Sequence, residues 1–173
     1  GIDLVESQLR VADGRSIADL GLEQASIPVP RGFAIQARVN METITPDGTI
    51  LPSGGTLTSF DPPSGPGIRV DTYGYTGYTT NPSYDSLIAK LIAHSRSSDF
   101  GDAVRRTYRA LSEFRIDGVP TNLSFLQTLL KHPDFTGLNF HTRYIEEKAE
   151  ELAAPEGEAH RRLYAEPATV VAA

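Results

Sequence analysis

The chain has 173 residues, a formal net charge of −6, 39% hydrophobic residues and no cysteine. That length suits one domain of ordinary size with enough apolar residues for a core, and the negative charge argues against a nucleic-acid partner. No apolar run reaches the ~20 residues of a membrane span, and the lack of cysteine rules out disulfides and thiol nucleophiles and suits the cytoplasmic location that we expect.

The chain opens in a helical pattern that stops near Gly14. Its apolar residues recur on one helical face: Ile2, Val5, Leu9 and Ala12. We expect residues 1–20 to be a helix left over from a preceding domain, residues 21–152 to form the main domain, and residues 153–173 to be a linker.

The next segments have the features of strands and turns. Residues 31–40 alternate as a half-buried strand does, with Phe33, Ile35, Ala37 and Val39 on one face. Residues 46–82 hold 7 of the 15 glycines and 6 of the 12 prolines, which predicts a meander with strands at 56–60 and 68–73. Residues 86–94 fit a strand or a buried helix by periodicity, and their β-branched residues favour a strand.

The period then becomes helical. Ser98 or Asp99 can cap a helix that places on one face Phe100, Ala103, Val104, Thr107, Leu111 and Phe114. Thr121 is expected to cap a second helix over residues 122–131, and Thr142 to begin a last helix that turns inward Ile145, Ala149 and Leu152. Strands followed by helices predict an α+β domain, an antiparallel β meander with helices packed on it.

A candidate site follows a turn at residues 64–67, which contains two glycines and a proline. The strand after this turn places Arg69 and Asp71 on one face. The plain interpretation is a solvent-facing arginine paired with Asp71, and the residues alone favour it. The functional interpretation is a guanidinium at the edge of a cleft, where its planar fork binds a carboxylate, a phosphate or a developing oxyanion.

Other candidate residues have ordinary explanations. Residues 84–86 fit a Tyr-Asp-Ser turn that hydrogen-bonds to its own backbone. The four histidines lack the spacing of metal ligands, so we expect no metal site. A sugar- or peptide-binding module is left open by four tyrosines, although packing at a corner of the meander is favoured: Tyr73, Tyr75, Tyr78 and Tyr84.

Several segments, in their order and spacing, resemble the carboxyl-terminal domain of biotin carboxylase, the ATP-grasp component of biotin-dependent carboxylases. They are GIDLV (1–5), GFAIQARVN (32–40), LPSGG (51–55), GIR (67–69), YDSLIAKL (84–91) and IDGVPTN (116–122). Residues 41–43 and 64–67 are most similar to long single-chain acyl-CoA carboxylases, with pyruvate carboxylase as the near alternative. Gln36 and Gly54 depart from the Glu and Pro of many family members.

The resemblance implies a part in a ligase reaction. In such enzymes ATP activates bicarbonate to carboxyphosphate, and the carboxyl group passes to a ureido nitrogen of biotin on a carrier domain. The resemblance places Arg69 at the family arginine that contacts biotin and bicarbonate, so Arg69 is the expected catalytic residue. It also places Thr142 and Arg143 near the adenine of the nucleotide, and it assigns a homodimer contact with an exposed apolar patch to residues 86–97.

The resemblance leaves the remaining chemistry to other domains. ATP and Mg²⁺ would be bound mainly by upstream ATP-grasp domains of the same chain, and the biotin carrier would be a further partner. We therefore expect this chain to be inactive alone. The alternative is a non-catalytic scaffold that provides dimer contact and braces neighbouring domains. The carboxyl acceptor, an acyl-CoA, pyruvate or urea, would be selected elsewhere.

Overall fold

A computed structural model describes residues 2–81 and 83–153. The predicted linker at 153–173 therefore lies, except for its first residue, outside the described residues. Contacts between Cα atoms divide the chain between Arg31 and Gly32 into two units, and the predicted boundary at residue 20 stays a prediction. None of the helices in the described ranges is long and apolar enough to cross a membrane.

The first unit contains helix α1, Leu4–Ala12. Asp3 caps this helix, because its carboxylate accepts a hydrogen bond of 2.9 Å from the Glu6 backbone N–H. Gly14 follows the last turn with a φ of +92°, as predicted for a helix stop. The apolar side chains of α1 include three that are strongly exposed: Leu4, Val5 and Leu9.

The second unit contains the other elements, seven strands and five helices among the described residues. In chain order they are β1 (Phe33–Asn40), β2 (Glu42–Ile44), β3 (Ile50–Pro52), β4 (Ser59–Asp61), β5 (Ile68–Thr72), β6 (Leu87–Ser95), α2 (Phe100–Glu113), β7 (Arg115–Asp117), α3 (Leu123–Lys131), α4 (Pro133–Thr136), α5 (Tyr144–Glu147) and α6 (Ala149–Ala153). The predicted α+β class with antiparallel strands is confirmed.

The main sheet has three antiparallel strands in the order β1-β6-β5. The segment for which periodicity allowed a strand or a helix is therefore the central strand, β6. In the register, Leu91 lies opposite both Ala37 and Val70, and these side chains face inward. Because side chains alternate along a strand, the residues between them face outward.

Helix α2 packs against the inner face of this sheet. Asp99 is the N-cap, as predicted, and its carboxylate accepts a hydrogen bond of 2.9 Å from the Gly101 N–H. The predicted inward face is also confirmed, since Ala103, Thr107 and Leu111 are buried. The core cluster around the sheet and α2 includes Val39, Met41, Leu57, Phe60, Ile88, Leu91, Phe114 and Ile116.

The smaller strands differ from the prediction. The strand predicted at residues 56–60 lies instead at Ser59–Asp61, which is β4. This strand pairs with β7, whose residues are 54 to 58 positions further along the chain. Thr56 instead forms an isolated bridge with Thr79. Gly118 ends β7 at a φ of +94°, and a Cβ there would lie 2.1 Å from the Thr56 carbonyl oxygen. This close approach requires glycine.

The hairpin of β2 and β3 was not predicted. The two strands pair from Glu42–Pro52 to Ile44–Ile50. Their turn closes through a hydrogen bond of 3.0 Å from the Thr45 N–H to the Thr49 carbonyl. The proline and glycine of this turn indicated only that regular structure stops there. The strands on either side have three residues each, too few to show the alternation of a strand.

The last predicted helix is wrong in detail. It is divided at Lys148 into α5 and α6, and Arg143 rather than Thr142 occupies the N-cap position. Leu152 is buried, as predicted, but the predicted inward residue Ile145 is 46% exposed and Tyr144 is buried instead. The buried Tyr144 hydroxyl lies 2.7 Å from Nδ1 of His132. The side chain that faces inward is thus Tyr144, one residue before the predicted Ile145.

Asn122 does not cap a helix with its side chain, and Thr121 is not the N-cap. The Asn122 Oδ1 accepts a hydrogen bond of 2.9 Å from the Asn40 N–H, and its Nδ2 donates to the Arg38 carbonyl at 3.1 Å. The same Nδ2 donates to the Glu42 carboxylate at 3.1 Å. The amide thus pairs with the outer edge of β1 and compensates a carboxylate that is only 5% exposed.

Replacing Asn122 with alanine should lower the free energy of unfolding by about 2–4 kcal/mol, because the variant loses its edge hydrogen bonds and leaves buried Glu42 with one donor fewer. Urea denaturation followed by circular dichroism measures this change. The control is Asn139→Ala at an exposed position, where we expect a change within about 0.5 kcal/mol. Equal stability of the two variants would contradict the assigned role of Asn122.

Candidate functional site

The corner that leads into β5 is held in place by its neighbours. Gly67 has a φ of +77°, and a Cβ there would lie 2.4 Å from the His94 carbonyl oxygen. The His94 N–H donates to the Gly67 carbonyl at 2.7 Å, and Arg106 Nη1 on α2 donates to the Pro66 carbonyl at 3.3 Å. The glycine–proline corner is therefore fixed to β6 and α2, which sets where β5 begins.

Arg69 points away from the core on β5. The inward residues Ile68 and Val70 pack against the core cluster, so Arg69 lies on the outer face, and its side chain is 74% exposed. Its guanidinium donates to Asp71 from Nε at 2.8 Å and from Nη2 at 2.7 Å. These bonds hold the pKa of the Asp71 carboxyl below its ordinary value and raise the pKa of Arg69. The structure therefore contains the ion pair between a solvent-facing Arg69 and Asp71 that the plain interpretation predicts.

The strand register places further cations on this face. Lys90 lies directly opposite Asp71 on one side and Arg38 on the other. Ile92 lies directly opposite Arg69. Three cationic side chains therefore share the outer face, where Asp71 pairs with Arg69 and Asp85, just before β6, lies 3.7 Å from Arg38. Such a face attracts anions, and a guanidinium with a free edge binds planar anions in a bidentate manner.

A shallow cavity of ≈ 240 Å³ adjoins this face. Asp71, Tyr73 and Lys90 line it together with residues 87–89. A larger cavity of ≈ 490 Å³ lies at the free edge of β1 and is bounded by the β2–β3 hairpin and α3. Arg69, Thr142 and Arg143 do not line the larger cavity. Arg69 does not line the smaller cavity either, although its partner Asp71 does. Arg69 therefore lies on the open outer surface and not in either of these cavities.

Thr142 and Arg143 lie just before α5, and both are exposed. Arg143 Nε lies 3.9 Å from Glu146 and 3.8 Å from Glu147. No hydrogen bond or ion pair in the described part of the chain joins either residue to Arg69. The nucleotide role of these two residues stays a prediction.

The remaining candidate residues have structural roles. The Asp85 carboxylate accepts a hydrogen bond of 2.9 Å from the Leu87 N–H, as expected for the turn at 84–86. The Tyr78 ring lies 5.6 Å from that of Tyr73 and 5.3 Å from that of Tyr75, measured between centroids. Among residues 2–81 and 83–153, no cluster of histidine and carboxylate side chains could hold a metal ion.

The expected exposed apolar patch on residues 86–97 is wrong. As the central strand, β6 turns most of its apolar side chains into the core. Its outward residues are Lys90, Ile92 and His94, of which Ile92 is half-buried. The outer surface of β6 is therefore mostly polar. Any dimer contact there would have to combine polar pairs with Ile92.

Sequence reasoning missed Lys90 and Arg38 as parts of this surface. Both were inside segments identified as strands, and alternation places them on the outer face. Their alignment with Asp71 depends on the register between paired strands, in which Arg38 lies opposite Lys90, 52 residues further along the chain. A strand pattern alone does not determine that register.

Comparison with known proteins gives the family of this fold. The family model described as "Biotin carboxylase C-terminal domain" matches residues 36–147. Biotin carboxylase 1 of Bacillus subtilis (strain 168) is 40% identical over 146 residues, which are 84% of this chain and 31% of that protein. The chain thus spans about a third of this relative's length.

Two solved structures are also similar. A single-chain, multi-domain long-chain acyl-CoA carboxylase is 46% identical over 92% of this chain and 17% of its own, with a TM-score of 0.77. The biotin carboxylase domain dimer of the Hydrogenobacter thermophilus 2-oxoglutarate carboxylase is 36% identical over 90% of this chain and 33% of its own, with a TM-score of 0.73. That dimer was determined with MgADP, ADP and bicarbonate.

The segment around Arg143 should respond to acid through Glu151. Hydrogen bonds from Lys148 and His132 lower the pKa of Glu151 from 4.5 to about 2. A folded-state pKa below the unfolded value stabilises the protein above pH 4.5, and this contribution is lost as the pH falls towards about 2. Glu151→Gln should therefore flatten the fall in unfolding free energy over this range in urea titrations.

Glu150→Gln is the matched control, because it removes the same charge from the adjacent exposed position. An equal flattening in both variants would show that overall charge, and not the contacts of Glu151, causes the effect.

Proposed function

This chain belongs to the biotin carboxylase C-terminal domain family, and we therefore propose that it supplies Arg69 to the carboxylation of carrier-bound biotin. The observation that carries the proposal is the orientation of Arg69 on the cationic outer face of the sheet, with part of its guanidinium open to solvent. The alignment with an acyl-CoA carboxylase at 46% identity supports a multidomain parent of that kind.

The chemistry needs a donor for a developing negative charge. Loss of the ureido proton leaves charge on the biotin oxygen, and bicarbonate is itself an anion. Arg69 can donate from Nη1 and Nη2 to either of them while Asp71 accepts from Nε and Nη2. A positioned donor that meets the charge as it forms lowers the barrier, since little reorganisation is needed during the reaction.

Other parts of the reaction fall to other domains in this proposal. ATP supplies the phosphoryl group that activates bicarbonate. The described residues contain no cluster suited to Mg²⁺, so Mg²⁺ and most of the nucleotide would be held by upstream ATP-grasp domains. Thr142 and Arg143 would meet the adenine. The exposed Thr142 and the surface ion pairs of Arg143 allow such a contact.

The partners of the domain follow from the same proposal. The biotin carrier would approach the outer face, and a second copy would pack on β6, through residues 86–97. Lys90 and Ile92 lie directly opposite Asp71 and Arg69, so that copy would contact the exposed His94 and Arg96 and leave the surface around Arg69 open to the carrier. The biotin carboxylase domain of the Hydrogenobacter thermophilus relative is a dimer, which supports a second copy as a partner.

A scaffold that only braces neighbouring domains is the second candidate. The observation in its favour is the Arg69–Asp71 ion pair, which alone would account for an exposed arginine. The two candidates differ in whether turnover depends on Arg69. A sugar- or peptide-binding module has less support: Tyr73, Tyr75 and Tyr78 contact one another, whereas Tyr84 is 77% exposed.

Replacing Arg69 with alanine in the proposed multidomain carboxylase should lower kcat/KM for biotin carboxylation by about 10²–10³-fold, the usual cost of one positioned oxyanion donor. Arg69→Lys should recover little of this activity, because lysine keeps the charge and loses the planar fork. Fixation of labelled bicarbonate on free biotin measures the rate. The control is Arg115→Ala, which removes the arginine of a similar pair with Asp117. Full turnover by both Arg69 variants would favour the scaffold.

The purified 173-residue chain should show no bicarbonate-dependent hydrolysis of ATP, because the groups that would bind Mg²⁺ and the phosphates lie elsewhere in this proposal. Release of inorganic phosphate with and without bicarbonate measures the activity, and a mock preparation provides the background. Hydrolysis above that background would overturn the proposed division of work between domains.

A further inference from the structure

The guanidinium of Arg69 has two edges, each able to bind one planar anion. The side edge consists of Nε–H and one N–H of Nη2, and both bind Asp71, at 2.8 and 2.7 Å. The end edge consists of Nη1–H and the second N–H of Nη2. No group in the described part of the chain accepts a hydrogen bond from Nη1 of Arg69. Asp71 thus uses one edge and leaves the other open.

We propose that Asp71 is a positioning residue, which fixes the plane of the Arg69 guanidinium so that its end edge faces the anionic substrate. This inference rests on the proposed function of Arg69. Two bonds to one carboxylate constrain the rotation of the guanidinium in a way that a single bond does not. The side chain would otherwise be free to sample many rotamers on an open sheet face, at a cost in entropy when it binds.

The register of the sheet holds Asp71 in turn. Asp71 lies two residues from Arg69 on the same strand and directly opposite Lys90 on β6. The charge of Lys90 adds to the effect of Arg69 in keeping the Asp71 carboxyl ionised, since both lower its pKa. Arg38 lies beyond Lys90 in the same row and adds a third positive charge to this face. Arg69 and Lys90 thus favour the charged form of Asp71, whereas Arg38 pairs with Asp85 at 3.7 Å.

A competing role for Asp71 would be that of a brake, in which its carboxylate occupies the site of the substrate. The geometry argues against this role, because Asp71 bonds the side edge and the end edge stays open. The two roles predict opposite changes. Loss of a positioning residue weakens catalysis, whereas loss of a brake strengthens bicarbonate binding.

The test uses the proposed multidomain carboxylase with free biotin, bicarbonate and MgATP. Asp71→Asn keeps the size of the side chain and removes its charge and one acceptor. It should lower kcat for biotin carboxylation about five-fold, the factor expected for a well-formed exposed ion pair, with KM for ATP and the melting temperature unchanged. Asp71→Glu retains the carboxylate and should recover most of the lost rate.

The matched control is Asp117→Asn. Arg115 and Asp117 are also two residues apart in sequence, and Arg115 Nε lies 2.9 Å from the Asp117 carboxylate. The side chains of Asp117 and Asp71 are equally exposed, at 44%. This variant should keep wild-type kcat. Equal kcat in Asp71→Asn and the wild type, or a lower KM for bicarbonate in Asp71→Asn, would overturn the inference. If Arg69→Ala is also fully active, the proposed function fails with it, whereas an inactive Arg69→Ala confines the failure to Asp71.

Discussion

Burial of one face of the three-stranded sheet beneath α2 constrains the rest of the structure. Side chains alternate along each strand, so packing Ile68, Val70 and Leu91 inward forces the residues between them outward. Strand alternation alone therefore places Arg69 and Asp71 on the outer face. The glycine–proline corner fixes where β5 begins and hence which residues fall on which face. A shift of one residue would exchange the two faces and bury the guanidinium.

The free edge of β1 requires a second constraint, because unpaired backbone groups there would be costly once covered. Asn122 meets this need by placing a side-chain amide against the strand in the manner of a further strand. The same amide compensates Glu42, which links the β2–β3 hairpin to the start of α3. The sheet edge, the hairpin and the start of α3 thus share one buried polar cluster. Arg69 lies on the outer face of the sheet, whereas the core lies on the inner face.

The sequence allowed the main sheet and α2 to be predicted because their periods are long and regular. β1, β6 and α2 each contain enough residues for alternation or helical repetition to be visible. The pairing of β4 with β7 and the hairpin of β2 and β3 rest on three-residue strands, in which no period can be read. The inward position of Tyr144 accompanies a polar contact with His132, which apolar spacing does not reveal. For the site, alternation predicted that Arg69 and Asp71 share a face. The row formed with Lys90 and Arg38 could be identified only from the register of the strands, and the chemical role proposed for Arg69 rests on family resemblance.

The most direct test of the account is a crystal structure of the proposed multidomain carboxylase with bicarbonate and biotin. The account predicts a bound anion within about 2.7–3.0 Å of Nη1 and Nη2 of Arg69, while Nε and Nη2 stay paired with Asp71. An anion bound away from β5, with the guanidinium of Arg69 facing only solvent or a structural partner, would contradict it.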